Sequence, residues 1–128
     1  MDYESFIASK SLAHVVTGFD AVAVKPHLFD FQRAIVEWAC KRGRAAIFAD
    51  TGMGKTAMQS EWARQVAGFT GGRVLILAPL CVAQQTVEEE AKFGTAIKYC
   101  RDESQTEGDI IITNYEMVEH FDIASYAG

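Results

Sequence analysis

Residues 49–56 read Ala-Asp-Thr-Gly-Met-Gly-Lys-Thr and combine residue types that can hold an anion. Gly52 and Gly54 have no Cβ, so the backbone N–H groups beside them can turn inward and approach phosphate oxygens closely. Lys55 supplies a positive charge on a long stem, which can reach the outer phosphates of a polyphosphate chain. Thr56 offers a hydroxyl to Mg²⁺, which also takes phosphate oxygens into its octahedral shell. These residue types predict a binding site for a nucleoside triphosphate with Mg²⁺.

The spacing of the same residues matches the P-loop pattern G-x-x-x-x-G-K-S/T, with Ala49 in place of the first glycine. A helix that begins at the loop would add free N–H groups and the positive end of its dipole. The residues expected to contact the triphosphate are Thr51, Gly52, Met53, Gly54, Lys55 and Thr56, with Lys55 and Thr56 as the catalytic residues. The alternative is a glycine-rich turn between a strand and a helix, with a solvated lysine.

The elements that would position this loop follow from the spacing of apolar residues. Before the loop, residues 30–42 predict a helix with Asp30 as its N-cap and Gly43 at its end. The helix would carry one apolar face, formed by Phe31, Ala34, Ile35, Trp38 and Ala39. Residues 45–49 are a short apolar run without alternation, which is expected of a strand covered on both faces.

Beyond the loop, strands and helices alternate along the rest of the chain. A helix from residue 55 would carry an apolar stripe, formed by Met58, Trp62, Val66 and Phe69. Further strands are predicted at 73–78, 97–100 and 109–113, and further helices at 3–12, 82–93 and 115–121. This alternation predicts one α/β domain, with a parallel sheet and helices on both faces in a three-layer α/β/α arrangement.

The composition of the 128 residues limits the class of protein. Nearly half of the residues are hydrophobic, yet no apolar run approaches the ~18 residues of a membrane span, and the acidic start is unlike a signal peptide. The three cysteines, Cys40, Cys81 and Cys100, are widely spaced, so neither a zinc site nor a disulfide framework is indicated. Buried cysteines in a reduced, intracellular chain are the simpler interpretation. The net charge of −5 gives no overall footprint for nucleic acid.

The form Ala-x-Thr-Gly-x-Gly-Lys-Thr resembles motif I of superfamily-2 helicases, the DEAD-box-like and Swi/Snf-like motors. The stretch 28–38, Leu-Phe-Asp-Phe-Gln-Arg-Ala-Ile-Val-Glu-Trp, is similar to the helix that precedes motif I in that family. The resemblance implies that Gln32 hydrogen-bonds the edge of adenine, since an amide both donates and accepts. Without it, Gln32 would be a polar residue on the exposed face of the helix. The implied fold is RecA-like, and the implied ligands are ATP and Mg²⁺.

Two later stretches resemble the motifs through which these motors contact nucleic acid. Residues 75–90 are similar to motif Ia, which would place Pro79, Gln84 and Gln85 near the phosphates of DNA or, less readily, RNA. Their alternative is a strand end followed by a polar helix face. Residues 110–118 are similar to motif Ib of Swi/Snf-like and phage-encoded helicases, which would add Thr113, Asn114 and Tyr115. The alternative there is a capping box formed by Thr113 and Glu116, which explains both residues by helix initiation.

Residues 28–128 thus resemble the N-terminal portion of a RecA-like domain, preceded by a helical lead-in at 1–27. The resemblance places the acidic motif II strand, motif III and a second RecA-like domain beyond these residues, so a sheet edge should be exposed. The expected function is the ATP-binding part of a helicase or translocase in the cytoplasm of a bacterial or phage-infected cell, without hydrolysis by this chain alone. A complete short regulatory protein that binds nucleotide or a partner is the alternative, followed by a small P-loop kinase.

Overall fold

The computed structural model of the protein describes residues 17–50 and 52–128. The predicted helix at 3–12 and the loop residue Thr51 therefore lie outside the described residues. Of the predicted helical lead-in at 1–27, the described part, residues 17–27, contains no helix. Among the described helices, none is both long enough and apolar enough to cross a membrane.

Helix α1 spans Asp30–Arg42, the range that the sequence predicts. Gly43 ends it with a φ of 85°, a conformation that glycine adopts without steric cost. The predicted N-cap is wrong by one residue, because Phe29 occupies that position in an extended conformation and Asp30 is the first helical residue. The Asp30 carboxylate still lies in the first turn, where the helix dipole favours a negative charge.

The face of α1 that packs inward differs from the predicted one. The buried residues are Gln32, Val36, Ala39 and Cys40, whereas Phe31 and Trp38 are roughly half exposed. Val36 and Cys40 pack against Met58 of the next helix. Gln32 therefore lies on the buried face of α1 and not on an exposed polar face.

The two remaining α-helices flank the first strand. Helix α2 spans Lys55–Thr70, beginning directly after the glycine loop and ending at Gly71. Helix α3 spans Leu80–Ala91 and begins directly after Pro79, two residues earlier than predicted. Proline is well suited to this position because a helix start does not need its missing N–H group.

The sheet has three parallel strands, which confirms the predicted α/β class. Strand β1 is Val74–Leu77, β2 is Lys98–Tyr99 and β3 is Ile110–Thr113, in the spatial order β1-β3-β2. Val74 is in register with Ile110, and Tyr99 is in register with Ile112. All four residues of β3 are buried, as expected of the central strand.

The two faces of the sheet are covered differently. Ala63 and Val66 of α2 and Ala83 of α3 form one core cluster with Ile110 and Ile112. On the opposite face, Ile111 packs with Cys100, Phe121, Met117 and Tyr126. The chain there forms short 3-10 helices, including Tyr115–His120, where the sequence predicts an α-helix. The predicted α-helices therefore cover one face, and 3-10 turns cover the other.

The predicted strand at residues 45–49 is not formed, which is the largest correction to the fold. These residues have no regular secondary structure, and the Phe48 side chain is 97% exposed. A strand buried on both faces needs neighbouring strands, and no described strand pairs with this segment. Apolar composition alone therefore did not suffice to make a strand here.

The outer edge of β1 is only partly exposed, because the last residues of the sequence hydrogen-bond to it. The Ala127 N–H donates to the Arg73 carbonyl oxygen at 2.7 Å, and the Leu75 N–H donates to the Gly128 carbonyl oxygen at 2.9 Å. The Arg73 guanidinium donates to Glu103 at 2.7 Å and lies 4.4 Å from the centre of the Tyr126 ring. Arg73 thus holds the segment 103–128 against the strand.

Two of the three cysteines are buried, as the sequence predicts. Cys40 and Cys100 are buried, and Cys81 is exposed on α3. Burial raises the pKa of the Cys40 thiol to about 11, so this group is a neutral, small hydrophobic residue at ordinary pH.

Candidate functional site

The glycine loop and the start of α2 form the centre of the candidate site. Gly52 and Gly54 have φ angles of 88° and 77°, values that favour glycine over any other residue. The Met53 N–H donates to the Asp50 carbonyl oxygen at 3.2 Å and closes the turn. Gly54 is the N-cap of α2, and the first backbone bond of the helix joins the Met58 N–H to the Gly54 oxygen.

This local geometry leaves donors without acceptors. The N–H groups in the first turn of α2, those of Lys55, Thr56 and Ala57, have no acceptor within the helix and donate to no other described residue. They point along the helix axis toward the loop, with the positive end of the dipole behind them. An anion placed at the loop would satisfy them, as phosphates do at other helix starts.

Gln32 connects α1 to the apex of the loop. Its Nε2 donates to the Met53 carbonyl oxygen at 3.0 Å, and its Oε1 accepts the Phe29 N–H at 2.9 Å. The side chain is only 5% exposed. A Cβ on Gly54 would lie 2.0 Å from the Gln32 Nε2, so glycine is required at 54 for this approach as well as for its φ angle.

Lys55 and Thr56 line a cleft of about 530 Å³, which lies between the start of α2 and the end of β1. Lys55 is exposed and forms no ion pair with any described residue, while Thr56 is half-buried. A volume of this size lies within the range of small-molecule sites. The cleft is also lined by Ile47, Met58, Trp62, Leu77, Pro79, Val82 and Tyr115.

The residues predicted to meet nucleic acid divide into two groups. Pro79 and Tyr115 are exposed and line the same cleft as Lys55 and Thr56. Gln84 and Gln85 lie on the exposed face of α3 outside this cleft, where the Gln85 Nε2 donates to Glu89 at 2.8 Å. The polar-helix-face alternative thus accounts for Gln85.

Of the neighbouring residues Thr113 and Asn114, the structure contradicts the prediction for Thr113. The Thr113 side chain is fully buried, and its hydroxyl has no hydrogen-bond partner among the described residues. It therefore cannot contact a nucleic-acid backbone in this conformation. It does not cap a helix either, since Asn114 is the N-cap of the following 3-10 helix and makes no side-chain capping bond. Asn114 is half-buried, with its side-chain oxygen also unpaired.

The described residues contain few potential metal ligands that lie together. Among the described residues, no three or more His, Cys, Asp or Glu side chains are grouped so that they could hold one. Thr56 is the residue that the sequence predicts for Mg²⁺, and the remaining ligands would have to be phosphate oxygens and water. Asp50 is exposed at the start of the turn.

Sequence reasoning missed the internal role of Gln32 and the contribution of Ile47 and Trp62 to the cleft. The signal for Gln32 was available, because Gln32, Val36 and Cys40 recur at intervals of four and so share one face of α1. No local signal places Ile47 and Trp62 at the cleft, because their proximity depends on the tertiary fold.

Comparisons of the chain with models of protein families, with curated proteins and with solved structures find no match. The site must therefore be interpreted from its own geometry and from the motifs in the sequence.

Proposed function

We propose that this chain binds ATP with Mg²⁺ at the glycine loop, as the ATP-binding portion of a RecA-like superfamily-2 helicase or translocase that moves on DNA. The observation that carries this proposal is the loop itself. Two glycines at positive φ lead directly into a helix start whose N–H groups have no acceptor among the described residues, and Lys55, which forms no ion pair with them, opens onto a cleft beside the loop.

Each group has a separate part in binding. The N–H groups of the loop and of the first turn of α2 hold phosphate oxygens, and the Lys55 ammonium neutralises charge on the outer phosphates. The Thr56 hydroxyl supplies one ligand to Mg²⁺ that the phosphates carry. Hydrolysis also needs an acidic partner for the metal and a group that orients water. In the sequence no buried strand ends in an acidic pair that could supply them, so we expect binding with negligible turnover.

The experiment is a calorimetric titration of the chain with MgATP, comparing the wild type with Lys55→Ala. Because hydrogen bonds to charged groups are worth about 1.5–3 kcal/mol, the variant should lose about 10- to 100-fold in affinity. Lys41→Ala, which removes an exposed lysine from α1, is the matched control and should bind like the wild type. Equal affinity in all three proteins would refute the assignment of the glycine loop as the phosphate-binding site. Rapid ATP hydrolysis would contradict the expectation of negligible turnover.

Contact with DNA is proposed at the exposed residues Pro79 and Tyr115. Neither side chain carries a positive charge, so lysine or arginine residues of the chain would have to supply the phosphate contacts, and such binding should weaken steeply as salt is raised. Binding of a fluorescent single strand that does not change with salt would argue against this part of the proposal.

A complete short protein that binds a nucleotide or a partner without turnover remains the second candidate. The observation that favours it is the exposure of Phe48 and Ile47, which leaves an apolar segment uncovered. The coding sequence beyond residue 128 separates the two. An apolar strand ending in Asp-Glu directly downstream supports the motor, whereas a stop codon supports the short protein.

A further inference from the structure

We propose that Gln32 is a positioning residue for the phosphate groups of the ligand and does not read the nucleobase. This inference rests on the proposed function. It concerns the hydrogen bonds from the Gln32 amide to Met53 and Phe29, and their effect on the glycine loop.

The loop receives little other support from hydrogen bonds, although Ala49 before it packs against the core cluster that contains Val36 and Met58. The segment before it, residues 45–49, is not a strand, and no described residue pairs with it in a sheet. Within the turn, the Met53 N–H bonds to the Asp50 oxygen. Among the described residues, the bond from Gln32 to the Met53 oxygen is the one hydrogen bond that reaches the apex of the loop from another element. The orientation of the apex therefore depends on Gln32.

The bond to Met53 also sets the direction of the next N–H group. No described peptide bond is cis, so the Met53 carbonyl and the Gly54 N–H lie on opposite sides of a planar trans peptide. Because Gln32 holds the carbonyl toward α1, the Gly54 N–H must point away from α1. A fixed N–H direction at the loop apex is what a phosphate cradle requires.

Both functional ends of the Gln32 amide are engaged inside the protein. One N–H is donated to Met53 and one oxygen lone pair is used by Phe29, and the side chain is almost completely buried. The second N–H and the second lone pair of the amide belong to a residue that is only 5% exposed, so a base has little access to them. The geometry favours loop support, which acts on any ligand that carries the polyphosphate.

The test compares the affinities of three probes, MgATP, MgGTP and magnesium triphosphate without a nucleoside. Gln32→Met keeps the approximate volume of the side chain and removes both hydrogen bonds. Loss of loop support should lower the affinity for all three probes by the same factor, about 2- to 10-fold. Glu88→Ala, on the exposed face of α3, is the control and should change none of them.

Two further measurements separate positioning from a general loss of stability. In Gln32→Met the backbone amide signal of Gly54 should shift in the ligand-free protein, while the signals of β3 stay in place. Gln32→Glu retains the acceptor for Phe29 but sets a carboxylate against the Met53 carbonyl, so it should bind all three probes less well than Gln32→Met. If Gln32→Met does not fold, Gln32→Glu and Gln32→Asn are compared with the same probes.

Each outcome decides between the interpretations. An equal loss for the three probes supports loop positioning. A loss confined to MgATP would overturn it and assign Gln32 to adenine. Unchanged affinities, with Lys55→Ala still impaired, would also overturn it while leaving the proposed function intact. If the wild type binds none of the probes, the proposed function fails, and this inference fails with it.

Discussion

Replacement of Glu90 by glutamine should stabilise the protein above about pH 6 and have little effect below pH 4.5. Glu90 lies on α3 and is only 4% exposed, and its carboxylate accepts no hydrogen bond from any described residue. Burial, together with the negative charges of Glu89 and Glu61, raises its pKa from 4.5 to about 6. The positive charge of Lys25 opposes this effect but does not cancel it.

The sign of the effect follows from proton binding. Because the pKa of Glu90 is higher in the folded protein, the folded state holds this proton more tightly than the unfolded chain does. The free energy of unfolding should therefore fall as the pH rises from 4.5 to about 6 and stay lower above that range. The difference between the two pKa values corresponds to about 2 kcal/mol. Glutamine has nearly the same shape, carries no charge, and removes this penalty.

The assay is urea unfolding followed by tryptophan fluorescence, at about pH 4 and about pH 7.5. The stability of Glu90→Gln relative to wild type should increase by about 2 kcal/mol between the two conditions, which is roughly 8 °C in the melting temperature. The control is Glu88→Gln, which removes an exposed carboxylate two residues before Glu90 on α3. Its stability relative to wild type should change little between the two pH values. A constant difference between Glu90→Gln and the wild type at both pH values would refute the reasoning.

Two other predictions concern residues 45–49 and the segment 103–128, whose positions depend on tertiary contacts. Phe48→Asp should change the free energy of unfolding by less than about 0.5 kcal/mol, because the side chain is 97% exposed, whereas Val36→Asp in the core of α1 should unfold the protein. A large loss of stability in Phe48→Asp would show that residues 45–49 are buried after all. Arg73→Lys should speed amide hydrogen exchange at Tyr126 and Ala127, because a lysine cannot reproduce the forked contacts of the guanidinium, and unchanged exchange would contradict this role.

The boundaries of α1 were predictable because the signals that set them are local. Gly43 ends the helix by its own backbone preference, and the acidic residue at the start favours the dipole. Which face is buried was not predictable in the same way. The sequence offers a large apolar stripe through Phe31 and Trp38, but the tertiary packing buries the narrower face with Gln32 and Cys40 against α2.

The failure of the predicted strand at 45–49 has a different cause. Apolar composition is a local property of the segment, whereas strand formation depends on pairing with strands that are distant in sequence. Strands β1 and β3 were predicted correctly because each finds the other in parallel register. The segment 45–49 has no such partner among the described residues, and Phe48 remains in solvent.

In the candidate site, too, features set by local signals were predictable and features set by tertiary contacts were not. The glycine loop and the helix start at Lys55 were predictable, since glycine spacing and helix periodicity are local properties. The capping box at Thr113 and Glu116, which the spacing offered as an alternative, does not form, because Thr113 is the last residue of β3 and its side chain is held in the core. The hydrogen bond from Gln32 to Met53 joins residues 21 positions apart, so it could not be predicted without the tertiary fold.

The most direct test of the phosphate cradle is a titration of the ¹⁵N-labelled chain with MgATP and with magnesium triphosphate, followed through the backbone amide signals. We expect the largest shifts at Gly54, Lys55 and Thr56 with both ligands, and in Lys55→Ala much smaller shifts at Gly54 and Thr56 at the same ligand concentrations. Signals at the loop that stay in place at saturating ligand, or that move equally in the variant, would contradict the central claim.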